Sequence, residues 1–166
     1  MAKKQYYDIS RILDTNAQYM ILLGQRANGK SYQAKKTVID NAYHNDRKFV
    51  YLRRYKADIK TKAVESYFED MPISKMTKGE YDGVIAWNGR LYFSQLNEKG
   101  ECAKAKEIGW YCALNEYERY KSQTFVDCDY IIYEEFITDS VYITDEPRQL
   151  QQFVSTVARH RQLTDS

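Results

Sequence analysis

The sequence predicts a three-layer α/β/α domain whose sheet is mainly parallel and carries a β-hairpin insertion. Short apolar runs alternate with helix-forming segments along most of the chain, and a glycine-containing turn joins the first run to the first helix. An Asn-Gly pair also separates two β-type runs near the middle. Strands that alternate with helices form a parallel sheet with helices on both faces, and Asn-Gly is the strongest short signal for a hairpin.

The composition is that of one globular domain spanning residues 1–166. The chain has 43% apolar and 29% charged residues, which is typical of a protein with a buried core. No apolar stretch approaches the about 20 residues of a membrane span, so we expect no membrane partner. The net charge of +2 does not by itself indicate a nucleic-acid binder. Three cysteines without a C-x-x-C spacing indicate reduced thiols and a cytoplasmic location.

The first half of the chain predicts two strands, each followed by a helix. Residues 19–23 form an apolar run that ends at a glycine, as a buried parallel strand does, and residues 30–43 follow as a helix without Pro or Gly. A second strand is expected at 48–54, and a helix at 56–71 that ends near Pro72.

The second half begins with the predicted insertion, residues 77–107. Its hairpin pairs 83–87 with 90–94 around Asn88 and Gly89, and it could line a channel or cover the sheet. The remaining predicted elements are a strand at 108–114, a short helix at 115–121, a buried strand at 129–133 and a last helix from 145 to about 162. Pro147, at an N1-like position behind two acids, marks the start of that helix.

The turn after the first strand fits the pattern G-x-x-x-x-G-K-[ST], the phosphate-binding loop of P-loop nucleoside triphosphatases. Its members are Gly24, Gln25, Arg26, Ala27, Asn28, Gly29, Lys30 and Ser31. The two glycines let successive backbone N–H groups point at phosphate, with the positive end of the following helix beneath it. Lys30 is expected to reach the β- and γ-phosphates of ATP, where Arg26 could join it, and Ser31 to ligate Mg²⁺.

Two acids follow the last predicted strand. Glu134 stands where a carboxylate holds Mg²⁺ in P-loop enzymes, although Asp is more usual there, and Glu135 would orient the attacking water. Because ligands bind at the carboxyl ends of parallel strands, this pair and the phosphate-binding loop are expected to meet at one site. Asp127 and Asp129 are alternatives, but they precede the apolar run and would lie at the other end of the strand.

Basic residues stand at two further places. Arg53, Arg54 and Lys56 follow the second strand, where they could meet a phosphate of ATP or of a polynucleotide, or form a solvated turn. Arg159 and Arg161 lie near the end of the last helix. They could act on the γ-phosphate of a neighbouring subunit, or they could simply favour the negative end of the helix dipole.

Three stretches together resemble the DNA-packaging ATPases of short-tailed phages of the phi29 type. They are the phosphate-binding loop at 24–31, the run at 49–56 that ends in Arg-Arg-Tyr-Lys, and the run at 130–136 that ends in Glu-Glu-Phe. The loop alone is unspecific, and the other two stretches are more discriminating. The resemblance spans most of the chain.

The resemblance implies an ASCE-type P-loop fold and a ring, typically a pentamer, that assembles on the procapsid portal in the infected cell. Such proteins hydrolyse ATP to drive double-stranded DNA inward. Lys56 matches a basic residue acting across the subunit boundary, and Arg159 or Arg161 matches the arginine finger. Family members continue with a further strand beside the phosphate-loop strand and with a nuclease-like domain. We therefore expect residues 1–166 to be the N-terminal ATPase domain, unless residues 8–13 supply compensating structure.

Two other functions share these motifs. A nucleotide or small-molecule kinase would use the same loop and magnesium carboxylate, but it would need an arginine-rich lid and no water-directing Glu135. A nucleotide-binding switch or scaffold would bind ATP without turnover. Phosphate release without an acceptor separates the motor from the kinase, and replacement of Glu135 by Gln separates the motor from the switch.

Overall fold

The computed structural model describes residues 8–24, 29–135, 137 and 141–159. Its strands are β1 (Lys48–Arg53), β2 (Gly83–Trp87), β3 (Arg90–Leu96), β4 (Cys102–Ala113) and β5 (Cys128–Tyr133). Its α-helices are α1 (Ser10–Leu13), α2 (Lys30–His44), α3 (Thr61–Phe68), α4 (Ile73–Met76) and α5 (Glu146–Ala158). Two 3₁₀ helices span Lys56–Ile59 and Leu114–Tyr120. The five strands form one sheet in the order β2-β3-β4-β1-β5.

The sheet is mixed, which corrects the expectation of a mainly parallel one. Strand β1 runs parallel to β4 on one side and to β5 on the other. The pairs β2–β3 and β3–β4 are antiparallel, because the short turns that connect these strands cannot join parallel neighbours. The predicted insertion therefore extends the sheet sideways, and its hairpin is confirmed, with Asn88 and Gly89 both at positive φ.

Helices cover both faces of the central strands. Along β1, Phe49 and Tyr51 belong to a cluster with α2 and α3, whereas Val50 and Leu52 belong to a second cluster with α5. This alternation is the period-two pattern of a strand that is buried on both sides. The strand is central to the core, and its carboxyl end carries the basic residues singled out above.

The prediction of one continuous helix at 56–71 is wrong. A 3₁₀ turn at Lys56–Ile59 is separated from α3 by Lys60, whose backbone is extended (φ −60°, ψ 140°). Ile59 and Val64 both pack in the cluster on the α3 side of the sheet. Five residues apart on one helix, they would point in quite different directions, so the break lets both reach the core.

The buried strand predicted at 19–23 is also not observed. These residues pair with none of the described strands, and Tyr19, Ile21 and Leu23 are about half to two-thirds exposed (49%, 68% and 61%). An apolar run becomes a buried parallel strand only when a neighbouring strand satisfies its backbone groups. Within the described residues no such neighbour pairs with this segment.

Gly109 in β4 permits a close approach between β4 and β1. A Cβ atom at this position would lie 2.1 Å from the carbonyl oxygen of Phe49. That contact is with backbone inside the sheet, so it cannot be relieved by a side-chain rotation.

Replacing Gly109 by Ala should lower the free energy of unfolding by about 3 kcal/mol, because β1 and β4 must separate to admit the methyl group. Urea denaturation measures the change. Gly83→Ala is the matched control, since a Cβ there lies 3.3 Å from the Ser94 hydroxyl, and it should change stability by less than about 1 kcal/mol. Equal stability of the two variants would contradict the argument.

Glu107 of β4 joins three strands. Its carboxylate accepts hydrogen bonds from Lys48 of β1 (Nζ–Oε1 2.8 Å) and from Arg90 of β3 (Nη1–Oε2 2.7 Å). Burial opposes the charged form, but the hydrogen bonds from Lys48 and Arg90 outweigh it and lower the pKa of Glu107 below its usual 4.5.

Because the folded-state pKa of Glu107 is lowered, its stabilisation is present above about pH 4.5 and is lost as the pH falls through the folded value. Glu107→Gln should therefore be less stable than the original chain near neutral pH, and the difference should shrink as the pH falls. Urea denaturation at several pH values tests this. A difference that stays constant down to the most acidic pH would contradict it.

Candidate functional site

The first turn of α2 has the geometry of an anion-binding helix start. Gly29 precedes the helix in the left-handed conformation (φ 86°, ψ 8°), which favours glycine, and Lys30 and Ser31 are the first helical residues. No acid of the helix itself lies in the first turn of this 15-residue helix, so its own side chains do not offset the partial positive charge of its N-terminus. Residues 25–28 of the predicted loop lie outside the described residues.

The two predicted motifs meet at this helix start. The Ser31 hydroxyl donates to Oε2 of Glu134 at 3.3 Å, although the residues are 103 positions apart. The other carboxylate oxygen, Oε1, accepts a 2.7 Å hydrogen bond from the Tyr67 hydroxyl. Both oxygens of Glu134 are thus oriented by hydroxyl groups beside the start of α2. A serine hydroxyl and a carboxylate oxygen this close are hard-oxygen donors of the kind that Mg²⁺ binds together with phosphate and water.

Tyr67 of α3 was not identified from the sequence. Its ring stacks on Tyr51 (centroids 4.4 Å apart), and the buried Lys35 of α2 donates to its carbonyl oxygen at 2.8 Å and to the carboxylate of Asp70. Burial raises the pKa of Tyr67 well above its usual value, and the charge of Glu134 adds to the effect, so the hydroxyl stays protonated as a donor. Nothing in the spacing of Tyr67 distinguishes it from the other tyrosines.

Glu135 has an unusual backbone and a cationic partner. Its φ of 56° lies in the left-handed region, which is strained for a residue with a Cβ. Its carboxylate is largely exposed and forms an ion pair with Arg53 (Nη2–Oε2 2.5 Å). The Arg53 guanidinium also donates to the Tyr51 hydroxyl at 3.4 Å. The residue predicted to orient water therefore lies next to Glu134 but is paired with Arg53 in this structure.

The predicted basic cluster does not act as one surface. Arg53 pairs with Glu135, whereas Arg54 is buried and makes a two-point contact with Glu146 of α5. Arg54 is therefore neither part of a solvated turn nor available to an external phosphate. Lys56 stays largely exposed and pairs with Glu116 at 3.0 Å. The cause is the end of the strand, where successive side chains leave on opposite faces.

Arg159 lies apart from these residues. Its guanidinium donates to the Lys121 carbonyl at 3.1 Å, at an open depression of about 640 Å³ that Arg148 and Gln152 also line. Among the described contacts, Arg159 makes none with Ser31, Glu134 or Glu135. Arg161, the other predicted finger, lies outside the described residues. Arg159 is thus not part of the site formed by Ser31, Glu134 and Glu135.

The alternative acids are at the far end of β5, as expected. Arg47 forms ion pairs with Asp127 (3.0 Å) and with Asp129 (2.7 Å). Among the described residues, no group of three or more His, Cys, Asp or Glu side chains could enclose a metal ion. No helix within the described ranges has the length and apolar character to cross a membrane.

Known proteins resemble this chain along its whole length. Residues 1–165 match the family described as Podovirus DNA encapsidation protein (Gp16). The DNA packaging proteins of Bacillus phages PZA and phi29 are each 27% identical over 165 residues, which cover 98% of this chain and 45% of theirs. That of Bacillus phage B103 is 30% identical over 144 residues, 85% of this chain and 40% of the relative. The chain thus spans less than half the length of these curated relatives.

Solved structures have the same fold. The N-terminal domain of the DNA packaging ATPase from bacteriophage phi29 aligns with 95% of this chain and 74% of that one, at a TM-score of 0.75 and 26% identity. A chain of the phi29 viral genome packaging motor assembly gives a TM-score of 0.72 at 26% identity over 94% of this chain and 44% of that one. The Phi-28 gp11 DNA packaging motor, 21% identical, shares the fold with a TM-score of 0.70 over 96% of this chain and 48% of that one. The resemblance inferred from the sequence is confirmed, and the chain belongs to the podovirus Gp16 family of DNA encapsidation proteins.

Proposed function

We propose that this chain is the ATP-hydrolysing part of a motor subunit that moves viral double-stranded DNA into a procapsid. The observation that carries the proposal is the contact between Ser31, in the first turn of α2, and Glu134, at the end of β5, with Glu135 next along the chain. These are the places where an ASCE-type P-loop enzyme, with its three-layer α/β/α architecture, holds its nucleotide and its water-directing carboxylate. Family membership supports the same reading.

The site residues have separate roles in this proposal. The loop from Gly24 to Ser31 cradles the phosphates, and Lys30 reaches the β- and γ-phosphates of ATP. Ser31 and Glu134 would hold Mg²⁺, which would offset charge on the phosphate oxygens. Glu135 orients the attacking water and accepts its proton. Arg53 pairs with the Oε2 atom of Glu135 here, and the carboxylate is largely exposed, so its other oxygen is accessible to water.

The remaining predicted residues act between subunits in this proposal. Arg159 lies away from the site of its own subunit, which is where an arginine finger for a neighbour's γ-phosphate is expected, and Arg161 is the alternative. Lys56 is largely exposed and is proposed to act across the same boundary. We propose that the subunits form a ring, typically a pentamer, at the procapsid portal in the infected cell. Membership of a DNA encapsidation family and likeness to a chain of the phi29 packaging motor assembly support this assembly.

A kinase and a nucleotide-binding switch are the two alternative functions, and neither requires Glu135 to direct water. A kinase transfers phosphate to a bound acceptor and needs no water-directing carboxylate, whereas a switch binds ATP without turnover. The left-handed backbone of Glu135 is of the kind found at active sites, ligand clamps and switch regions, so it supports a functional role at this position without separating hydrolysis from a switch. Phosphate release without an acceptor separates hydrolysis from both alternatives.

Replacing Glu135 by Gln should lower the rate of ATP hydrolysis at least about a hundredfold, because the amide cannot accept the proton of the attacking water. ATP binding should persist, because the Lys30 and Ser31 contacts are unchanged. Phosphate release and equilibrium ATP binding are the two measurements. Glu98→Gln, in an exposed turn, is the matched control. Full hydrolysis by Glu135→Gln, or no release by the original chain without an acceptor, would contradict the proposal.

Hydrolysis should increase steeply with protein concentration and with added double-stranded DNA, because each site is completed by a neighbouring subunit. Arg159→Ala and Arg161→Ala should identify the finger, since only its removal should lower the rate at saturating protein. A rate that is independent of concentration, and unchanged when both arginines are replaced, would exclude a finger supplied in trans.

A further inference from the structure

Arg54 is buried at the junction where the end of β1 meets the start of α5, and the proposed hydrolysis assigns it no role. Its side chain is 6% exposed, and its Nε and Nη2 atoms donate to the two carboxylate oxygens of Glu146 at 2.8 and 3.0 Å. Its Nη1 atom donates to the backbone carbonyl of Glu135 at 3.1 Å. One guanidinium therefore joins the end of β1, the start of α5 and the residue proposed to direct water.

Glu146 accepts further hydrogen bonds besides those from Arg54. Its Oε1 atom also accepts from the Tyr133 hydroxyl at 2.5 Å, and its Oε2 atom accepts from the Ile143 N–H at 3.2 Å. Burial opposes the charged form, but the hydrogen bonds from Arg54, Tyr133 and Ile143 outweigh it and lower the pKa of Glu146. The carboxylate therefore stays ionised, and the pair keeps its full charge at neutral pH.

The Arg54 contact falls on a strained residue. A left-handed backbone at a non-glycine residue costs energy and persists only where the surroundings hold it. Among the described residues, the backbone of Glu135, with its φ of 56°, is held through its carbonyl oxygen by Arg54. The Glu135 side chain, by contrast, is largely exposed and pairs with Arg53.

We propose that Arg54 and Glu146 are positioning residues that hold the Glu135 backbone and so fix where its carboxylate points. The proposal rests on the catalytic role assigned to Glu135. Arg54 fits this task because its planar fork spans two carboxylate oxygens while a third donor reaches the carbonyl. The described contact of the pair with the site is to the Glu135 carbonyl, so we expect the pair to affect hydrolysis.

The junction also connects the site to α5. Glu146 is the first residue of that helix, and Arg159 follows its last residue.

The test compares Arg54→Lys and Glu146→Gln with Glu107→Gln in the full chain. Arg54→Lys keeps a positive charge near Glu146 but removes the fork, and Glu146→Gln keeps the shape but removes the charge. Glu107→Gln breaks a partly buried ion network elsewhere in the sheet, so it controls for lost stability. Both junction variants should lower kcat for ATP at least about tenfold while KM stays within about twofold. Glu107→Gln should change neither.

Because the two residues act as a unit, Arg54→Lys combined with Glu146→Gln should be no slower than the slower single variant. If either single variant fails to fold, Tyr133→Phe, which removes one donor to Glu146, should still lower kcat without changing KM. A kcat equal to that of Glu107→Gln in every junction variant that folds would overturn the proposal. So would a fall in kcat matched by a rise in KM.

Glu135→Gln, measured in parallel, separates the two possible failures. If this variant abolishes hydrolysis and the junction variants do not affect kcat, the positioning role is wrong and the proposed function stands. If Glu135→Gln hydrolyses ATP normally, the catalytic role of Glu135 is wrong, and the positioning proposal fails with it.

Discussion

The parallel pairing of β1 with both β4 and β5 is the constraint from which the candidate site follows. Because these strands run in one direction, their carboxyl ends share an edge, and the start of α2 lies at the same edge through the contact of Ser31 with Glu134. Side chains of β1 also alternate between the two apolar clusters. At the end of this strand, Arg53 and Arg54 therefore diverge, one to the carboxylate of Glu135 and the other to α5.

Much of the fold could be predicted because local signals and packing agree. The α2 helix, the hairpin at Asn88 and Gly89, and strand β5 with its terminal acids follow from periodicity, turn chemistry and apolar runs. Residues 19–23 could not be placed correctly, because an apolar run carries no information about whether a neighbouring strand pairs with it. The break at Lys60 could not be predicted either, because it depends on which side chains reach the core and not on a helix-breaking residue.

For the site, the sequence predicted the acids and the helix start but not the groups that orient them. Ser31 was found because its motif has fixed spacing, and Glu134 because it directly follows an apolar run. Tyr67 was missed because it comes from a helix distant in sequence from Glu134 and has no distinguishing pattern. Glu146 was missed because an acid in the first turn of a helix does not by itself indicate a buried arginine partner. Arg54 was recognised as basic, but its burial was not, because burial depends on a carboxylate 92 positions away.

The hydroxyl groups of Ser31 and Tyr67 that donate to Glu134 restrict which side chains can replace Glu134 and Tyr67. One carboxylate bridges from α2 to α3, with Ser31 on one oxygen and Tyr67 on the other. An aspartate is one methylene shorter and could not span the same gap without a shift of a helix. Replacing either Glu134 or Tyr67 alone would leave the other residue without this hydrogen bond. Because they share one contact, the effects of substitutions at the two positions should not be additive.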